Sequence, residues 1–383
     1  MRRRQFISLL GGAALAPLTA SRAVADPSES CGVPVARDDG WTVAPGGEDK
    51  IVDREALCRM ADRLASTGAN VHAVLVARGG KLVFERYLGG TDEIYDRPIA
   101  NATFDADTLH DLKSVSKSVA SLVLGIAIDR GIIRSVDEPI FSFFPELSDL
   151  RTPEEDGLRL SHALTMSMGL RWVEATPSTG NDNNDEARMN TAPDPCRYVL
   201  GLPSTAPPGQ EFFYNTGALR LLSAIIRKAT GRPLDEFARE NLFEPLGITR
   251  LEWRRYKGDT DTGGGLRLRP RDMMKIGQLV LAGGRWNDRQ IVSKAWIDAS
   301  MTPRLEATGR YFYGYLWWLG RSLHHGREAH WTAALGRGGQ SIHIVPELDL
   351  VVAVTAGYYQ DYSPLAFGLQ YGVFKDVLQA IPV

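Results

Sequence analysis

The chain is poor in several features that commonly announce a function. It holds three cysteines in 383 residues, and Cys31, Cys58 and Cys196 fit neither a zinc-ligand spacing nor a CxxC redox pair. Of its seven histidines, His324, His325 and His330 lie close together, but no HExxH or comparable helical spacing occurs. A metal hydrolase is therefore not indicated, and that histidine cluster reads as a solvated loop. No G-x-S-x-G is present, which removes the main argument for an α/β-hydrolase. Neither sign of charge dominates: 44 Lys and Arg face 46 Asp and Glu, so neither nucleic acid nor an anionic membrane surface is an expected partner. After the first 25 residues no apolar run is long enough to cross a bilayer, so no stable membrane anchor is expected. Internal repeats and low-complexity tracts are absent, and the length allows one two-lobed domain or two smaller ones.

What is present begins with MRRRQFISLLGGAALAPLTASRAVAD. Arg2, Arg3 and Arg4 precede a short apolar stretch, and Ala23-Val24-Ala25 precedes Asp26. This three-part layout reads as a secretory signal over residues 1–25, and Arg3-Arg4-Gln5-Phe6-Ile7 is similar to a twin-arginine signal. It implies the twin-arginine export machinery as a transient partner and a soluble mature protein, periplasmic or secreted. In an oxidising compartment one disulfide can form, but the spacing does not say which pair forms it.

Residues 26–50 are rich in Gly, Pro and Asp and read as an extended leader to a domain over 51–383. DREALCRMADRLAS (53–66) suits an amphipathic helix, and VHAVLVARGGKLVFERYL has the pattern of a hairpin turning at Gly79-Gly80. From about 135 to 245 helices and loops dominate, including the polar loop GNDNNDEARMN, read as a lip of a cleft. The helix RPRDMMKIGQLVLAGG then leads back to β-rich runs and a final helix near 363–380. Strands at both ends with helices between them give an α+β class: an antiparallel sheet from N- and C-terminal parts, flanked by helices, with a helical insertion lobe.

One segment carries a chemical question. LKSVSKSVASLVLGIAIDRG (112–131) is apolar almost all round after Lys117, yet places an ammonium at its beginning. A charge there is costly unless paired or neutral. Ser114-Val115-Ser116-Lys117 is the chain's one S-x-x-K, and three residues along a helix bring amine and hydroxyl to one face. Desolvation lowers a lysine's pKa, and a neutral amine can take a serine proton. Chance alone supplies about half such a match in a chain of this composition, so the motif needs company. PPGQEFFYNTGALRLLSAII places Tyr214 at a helix entry, where it is either a core tyrosine or one aimed at a site. In ALGRGGQSIHIVP, Gly336, Gly338 and Gly339 permit either close approach to a ligand or a tight turn.

With these segments in order, the chain resembles the serine β-lactamase and penicillin-binding-protein superfamily, in particular class C-related enzymes like the 6-aminohexanoate-dimer hydrolase-like esterases and amidases. LSHALTMSMGL, ENLFEPLGI, GGGLRLRPRDMMKIGQL and GGQSIHIVPELDLVVAV extend the likeness over about residues 50–375. The resemblance implies a β-lactamase/transpeptidase-like fold with Ser114 as nucleophile, Lys117 as general base and Tyr214 as proton relay. It further implies an oxyanion hole from the backbone N–H groups of Ser114 and Arg337 and contacts to substrate from Thr216, Gly336 and Gly338. No metal or organic cofactor is implied. Trp172, Trp318 and Trp331 lie near these segments, either as walls of an apolar acyl pocket, for which Trp331 is a candidate, or as core.

Two departures bear on substrate. The second motif ends in Thr216 where asparagine is usual, and the third reads Ala334-Leu335-Gly336, without the Lys and Thr that help hold a substrate carboxylate. The Arg337 side chain either restores such a contact or points to solvent. Hydrolysis of an ester or linear amide is accordingly expected above β-lactam or D,D-peptide hydrolysis. The reading from another class is a ligand-binding protein of the same fold that turns nothing over.

Overall fold

Side chains alternate across a strand, so a strand buried on both faces serves two cores, and this protein is built around strands of that kind. The computed structural model describes residues 31–44, 51–153, 156–174, 183–309, 311–361 and 364–383. The signal expected at 1–25 lies outside the described residues, as does part of the leader.

Asp53 caps α1 (Arg54–Ser66) by accepting from Ala56 N. The hairpin follows as β1 (Val71–Arg78) and β2 (Lys81–Tyr87), with Gly79 and Gly80 both at positive φ in its turn. A second, two-stranded sheet is formed by β3 (Gly89–Ile94) and β4 (Arg97–Thr103). The short β5 (His110–Asp111) leads into α2 (Val115–Asp129). The helical lobe includes α3 (Asp185–Thr191) and α4 (Gly217–Thr230), the latter ended by Gly231 in the left-handed conformation. The chain returns through β6 (Leu266–Leu268), which pairs with β5, and α5 (Pro270–Leu281). Then come β7 (Leu305–Glu306), β8 (Phe312–Tyr313), β9 (Trp318–His324), β10 (Arg327–Gly336), β11 (Gln340–Val345), β12 (Leu350–Ala356) and α6 (Pro364–Gln379).

The main sheet has eight antiparallel strands in the order β7-β8-β9-β10-β11-β12-β1-β2. Pairing of β1 with β12 joins the two ends of the chain, as the α+β reading requires. Val74, Val76, Val352 and Val354 pack with Leu57 and Met60 of α1 and Phe374 and Val377 of α6. Leu75, Ala77, Ile342 and Ile344 pack on the other face with α2 and with Met273 and Ile276 of α5. A side chain at Gly277 would press on Val351 and Ile342, so its absence lets α5 lie close on the sheet. α2 is buried from Val115 to Ala127, the central helix between sheet and helical lobe.

Two loop expectations are corrected. Part of the polar segment at 181–190 is helical, because Asn184 caps α3 and Asp185 and Glu186 occupy its first turn. His324 is not solvated: it is buried at the end of β9, its Nε2 bonded to Ile381 O.

The leader segment 31–44 is packed rather than loose. Trp41 donates to Arg271 O, and Arg271 is buried between Asp39 and Glu85. Cys31 and Cys58 form the disulfide, tying this segment to α1, and Cys196 is free and buried. The bridge closes a separation of 27 residues. Cys31→Ser/Cys58→Ser should lower unfolding free energy by about 3 kcal/mol, read from the urea midpoint, and abolish any response of that midpoint to reductant.

Candidate active site

The site is assembled where β5 runs into α2. Lys113, between them, has φ 46°, a backbone region costly to a residue with a Cβ. Three carboxylates hold its ammonium there: Glu93 at 2.5 Å, Asp96 at 3.3 Å and Asp111 at 3.5 Å. Ser114 then occupies the N-cap position of α2, but its side chain makes no capping bond. Its hydroxyl is left for Lys117.

Lys117 Nζ lies 2.9 Å from Ser114 Oγ and 2.7 Å from Gly263 O. The side chain is buried, and none of the described residues forms an ion pair with it. Burial lowers its pKa, opposed by the more distant carboxylates of Glu174, Glu186 and Asp261. Both contacts suit a neutral amine: one N–H donates to Gly263 O, and the lone pair accepts from the serine hydroxyl. Gly263 is placed by close packing, since a Cβ there would meet Thr216 Cγ2. Ser116, in the next position of the motif, accepts from Leu266 N and so fixes the same loop to α2.

Tyr214 is brought in by the segment that enters α4. Its hydroxyl bonds Ser114, Lys117 Nζ lies 5.0 Å from its ring centre, and the ring stacks on Trp318 at 6.2 Å. Burial pushes its phenol well above the ordinary range, so it is a neutral hydroxyl at neutral pH. Ser114, Lys117 and Tyr214 are therefore one connected group.

Glu174 is the organising residue that sequence reading missed. Thr216 N at 2.9 Å, Thr216 Oγ1 at 2.6 Å and Trp172 Nε1 at 2.7 Å all donate to its carboxylate. Thr216, expected to contact substrate, donates its hydroxyl hydrogen to Glu174. Trp172 is core: it packs where a side chain at Gly217 would have to sit. Glu186, from α3, lines a small cavity with Thr216, Asp261 and Gly263, and burial raises its carboxyl pKa, with Glu174 adding to the rise. The available signal for Glu174 was weak: an acid two residues beyond a tryptophan, with no periodicity.

The third segment is β10 and its turn into β11. A Cβ at Gly336 would collide with Leu112 O and sit 3.3 Å from Ser114 N, so the glycine lets this strand end approach the serine backbone. Gly338 differs: φ 88° and contact with Tyr359 explain it as a hairpin turn residue. The Arg337 guanidinium lies 4.0 Å from Asp96. The expectation for Trp331 is corrected. It belongs to the other core, against Tyr371, Phe374 and His343, with Nε1 donating to Ser322. Trp318, beside Tyr214, Phe212 and Tyr313, is the tryptophan that borders the serine group. No residue of the group belongs to the one cluster among the described residues with metal-ligand spacing.

Known proteins share this framework. The chain is 24% identical over 339 residues to the 6-aminohexanoate-dimer hydrolase of Paenarthrobacter ureafaciens, covering 81% of this chain and 78% of that one. It is 28% identical over 181 residues to esterase EstB of Burkholderia gladioli, 45% and 44% of the two chains. A family VIII carboxylesterase structure superposes with a TM-score of 0.64 at 16% identity over 88% of this chain and 98% of that one, a likeness of fold. These likenesses support a hydrolase of the β-lactamase/esterase–amidase type. The family model described as Beta-lactamase matches residues 59–361, and to that family the chain belongs.

Proposed function

We propose that the protein is an exported serine hydrolase that forms an acyl-enzyme at Ser114 and hydrolyses an ester or a linear amide. One observation carries the reading: a buried lysine without an ion-pair partner among the described residues, 2.9 Å from a serine hydroxyl at a helix start. Ser114 Oγ attacks the substrate carbonyl while its proton passes to Lys117 Nζ. The tetrahedral oxyanion is received by the N–H groups of Ser114 and Arg337. The proton then travels through the Tyr214 hydroxyl to the leaving alkoxide or amine, and the carbonyl–heteroatom bond breaks. Water, deprotonated by the same pair, attacks the ester carbonyl and releases the acid with the proton returned to Ser114.

The substrate preference rests on what replaces the third motif. Ala334 and Leu335 offer no side-chain donor in place of the Lys and Thr that suit a β-lactam carboxylate, and the Arg337 guanidinium is turned toward Asp96. Trp318 and its aromatic neighbours suit an apolar acyl group. The names of the relatives, a dimer hydrolase and an esterase, point the same way. Export is supported by the basic-then-apolar start of the chain and by the Cys31–Cys58 bridge.

A fluorophosphonate probe should label the protein at Ser114, and Ser114→Ala should remove labelling and lower ester turnover by roughly 10⁴-fold or more. An unlabelled protein with no turnover of p-nitrophenyl esters, nitrocefin or ω-amino acid dimers would instead be a binding protein of this fold. Because burial depresses the Lys117 pKa, the base form grows as pH rises. kcat/KM should climb with pH and level off below the ordinary lysine value of about 10.4. A fall across that range would exclude the neutral amine as base. Tyr214→Phe should slow amide substrates by about 10²–10⁴-fold, because an amine leaves only when protonated, and slow p-nitrophenyl esters much less.

A further inference from the structure

Two β-bulges outside the serine group bring three unused ligands together. The pairing of β1 with β12 shifts register between Val71 and Ala73, which re-aims His72. The pairing of β3 with β4 shifts between Gly90 and Asp92, which presents the Thr91 carbonyl and the Asp92 side chain. β5 supplies His110. His72 Nδ1 and His110 Nδ1 are 3.3 Å apart, and the Asp92 carboxylate lies 3.9 Å from the first and 3.8 Å from the second. Both histidines are inaccessible to solvent, Asp92 is 7% exposed, and Phe104 stacks on the His72 ring at 3.9 Å. Gly357 leaves space for the group, since a side chain there would run into Thr91 O and the His72 ring.

We propose that His72 Nδ1, His110 Nδ1 and the Asp92 carboxylate bind one divalent first-row transition-metal ion of the zinc class, as a structural clamp joining β1, β3 and β5. The hydrogen bonds fix the lone pairs. His72 Nε2 donates to Thr91 O at 2.8 Å, so Nδ1 is the unprotonated nitrogen of that ring. Asp92 Oδ1 is buried with no hydrogen-bond partner among the described residues. The Asp92 carboxylate is also bonded by Glu93 N–H and the Tyr359 hydroxyl, which leave Oδ1 unpartnered, and a hydrogen on His110 Nδ1 satisfies only the histidine pair. A divalent cation satisfies all three and leaves both rings neutral, with the His110 hydrogen on Nε2, a buried nitrogen that has no hydrogen-bond partner among the described residues.

Spacing agrees with that chemistry. An ion bonding imidazole at about 2.0–2.1 Å sets neighbouring donors roughly 3.3 Å apart in a tetrahedral shell, which is the spacing of the two nitrogens, and Asp92 offers Oδ1 toward His72 and Oδ2 toward His110. Two imidazoles and one carboxylate select zinc-like ions over Mg²⁺ or Ca²⁺.

The test is metal analysis of the full-length protein, before and after chelation and reloading with Zn²⁺ or Co²⁺. One equivalent of zinc should be retained, zinc should raise the melting temperature of the stripped protein by several degrees, and the Co²⁺ form should show the intense ligand-field bands of a low-coordinate site. Asp92→Asn and His110→Gln should each weaken zinc binding by at least about 100-fold. His324→Ala/His325→Ala/His330→Ala should retain the metal. Stripped wild-type protein with no stoichiometric uptake and no thermal shift overturns the proposal. So does binding that vanishes in the triple variant, or the weak Co²⁺ spectrum of an all-oxygen octahedral site, which needs no variant to fold. Fluorophosphonate labelling of Ser114 is read separately, because the clamp contributes no group to acyl transfer.

Discussion

The arrangement depends on a lysine that is buried with no carboxylate in contact among the described residues. Lys275 shows the alternative within the same molecule. It is equally inaccessible, but Asp272 lies 3.1 Å away, and the pair sits inside α5 as a charged unit of structure. Lys117 has a carbonyl and a hydroxyl in place of a carboxylate. A full ammonium there would be poorly compensated, so the neutral amine is the form that the surroundings favour. Glu174, Glu186 and Asp261 stand far enough off to moderate this preference without neutralising it by contact. Their own demands are met elsewhere, with Glu174 by Thr216 and Trp172 and Asp261 by Arg254.

The sheet determines what reaches that lysine. Pairing of β1 with β12 brings the C-terminal strands beside the segment carrying Ser114, and Gly336 lets the end of β10 touch the backbone ahead of it. The same strand carries Trp331 to the opposite core. Alternation along β10 therefore divides one short sequence between two jobs, one residue serving the site and another serving the packing of α6. The strand end itself reads Ala334-Leu335-Gly336, which offers backbone groups and no side-chain donor.

Local patterns made much of this legible before any coordinates. Ser114 and Lys117 are one helical turn apart, the capped helix at 54–66 and the hairpin at 71–87 follow directly from periodicity, and Tyr214 sits at a helix entry. Contacts made across the fold were not. The carbonyl that receives Lys117 comes from residue 263, and backbone groups have no identity in a sequence. Glu174 gathers donors from Thr216, 42 residues later, so neither could announce the other. Trp331 was assigned by nearness in sequence to the site, a criterion that strand alternation defeats. His72, Asp92 and His110 have no motif spacing because two of them are delivered by bulges, and a bulge breaks the period on which pattern reading relies.

The two buried polar groups meet in a single strand. β5 contributes His110 to the histidine–aspartate cluster and Asp111 to Arg267 and Lys113, and three residues further on stands Ser114. Tyr359 connects them again: its hydroxyl donates toward Asp111 O, Asp92 is its acid neighbour, and its ring meets Gly338 in the turn after Arg337. Lys113 lies over that ring at 5.0 Å while paired with Glu93. The unfavourable backbone of Lys113 is thus held from one side by charges on β3 and β5 and from the other by an aromatic ring. A serine preceded by such a residue is positioned by the surrounding structure, since an isolated turn would relax φ to negative values. The geometry at Ser114 therefore depends on the rigidity of β3 and β5, elements that never touch the reacting atoms.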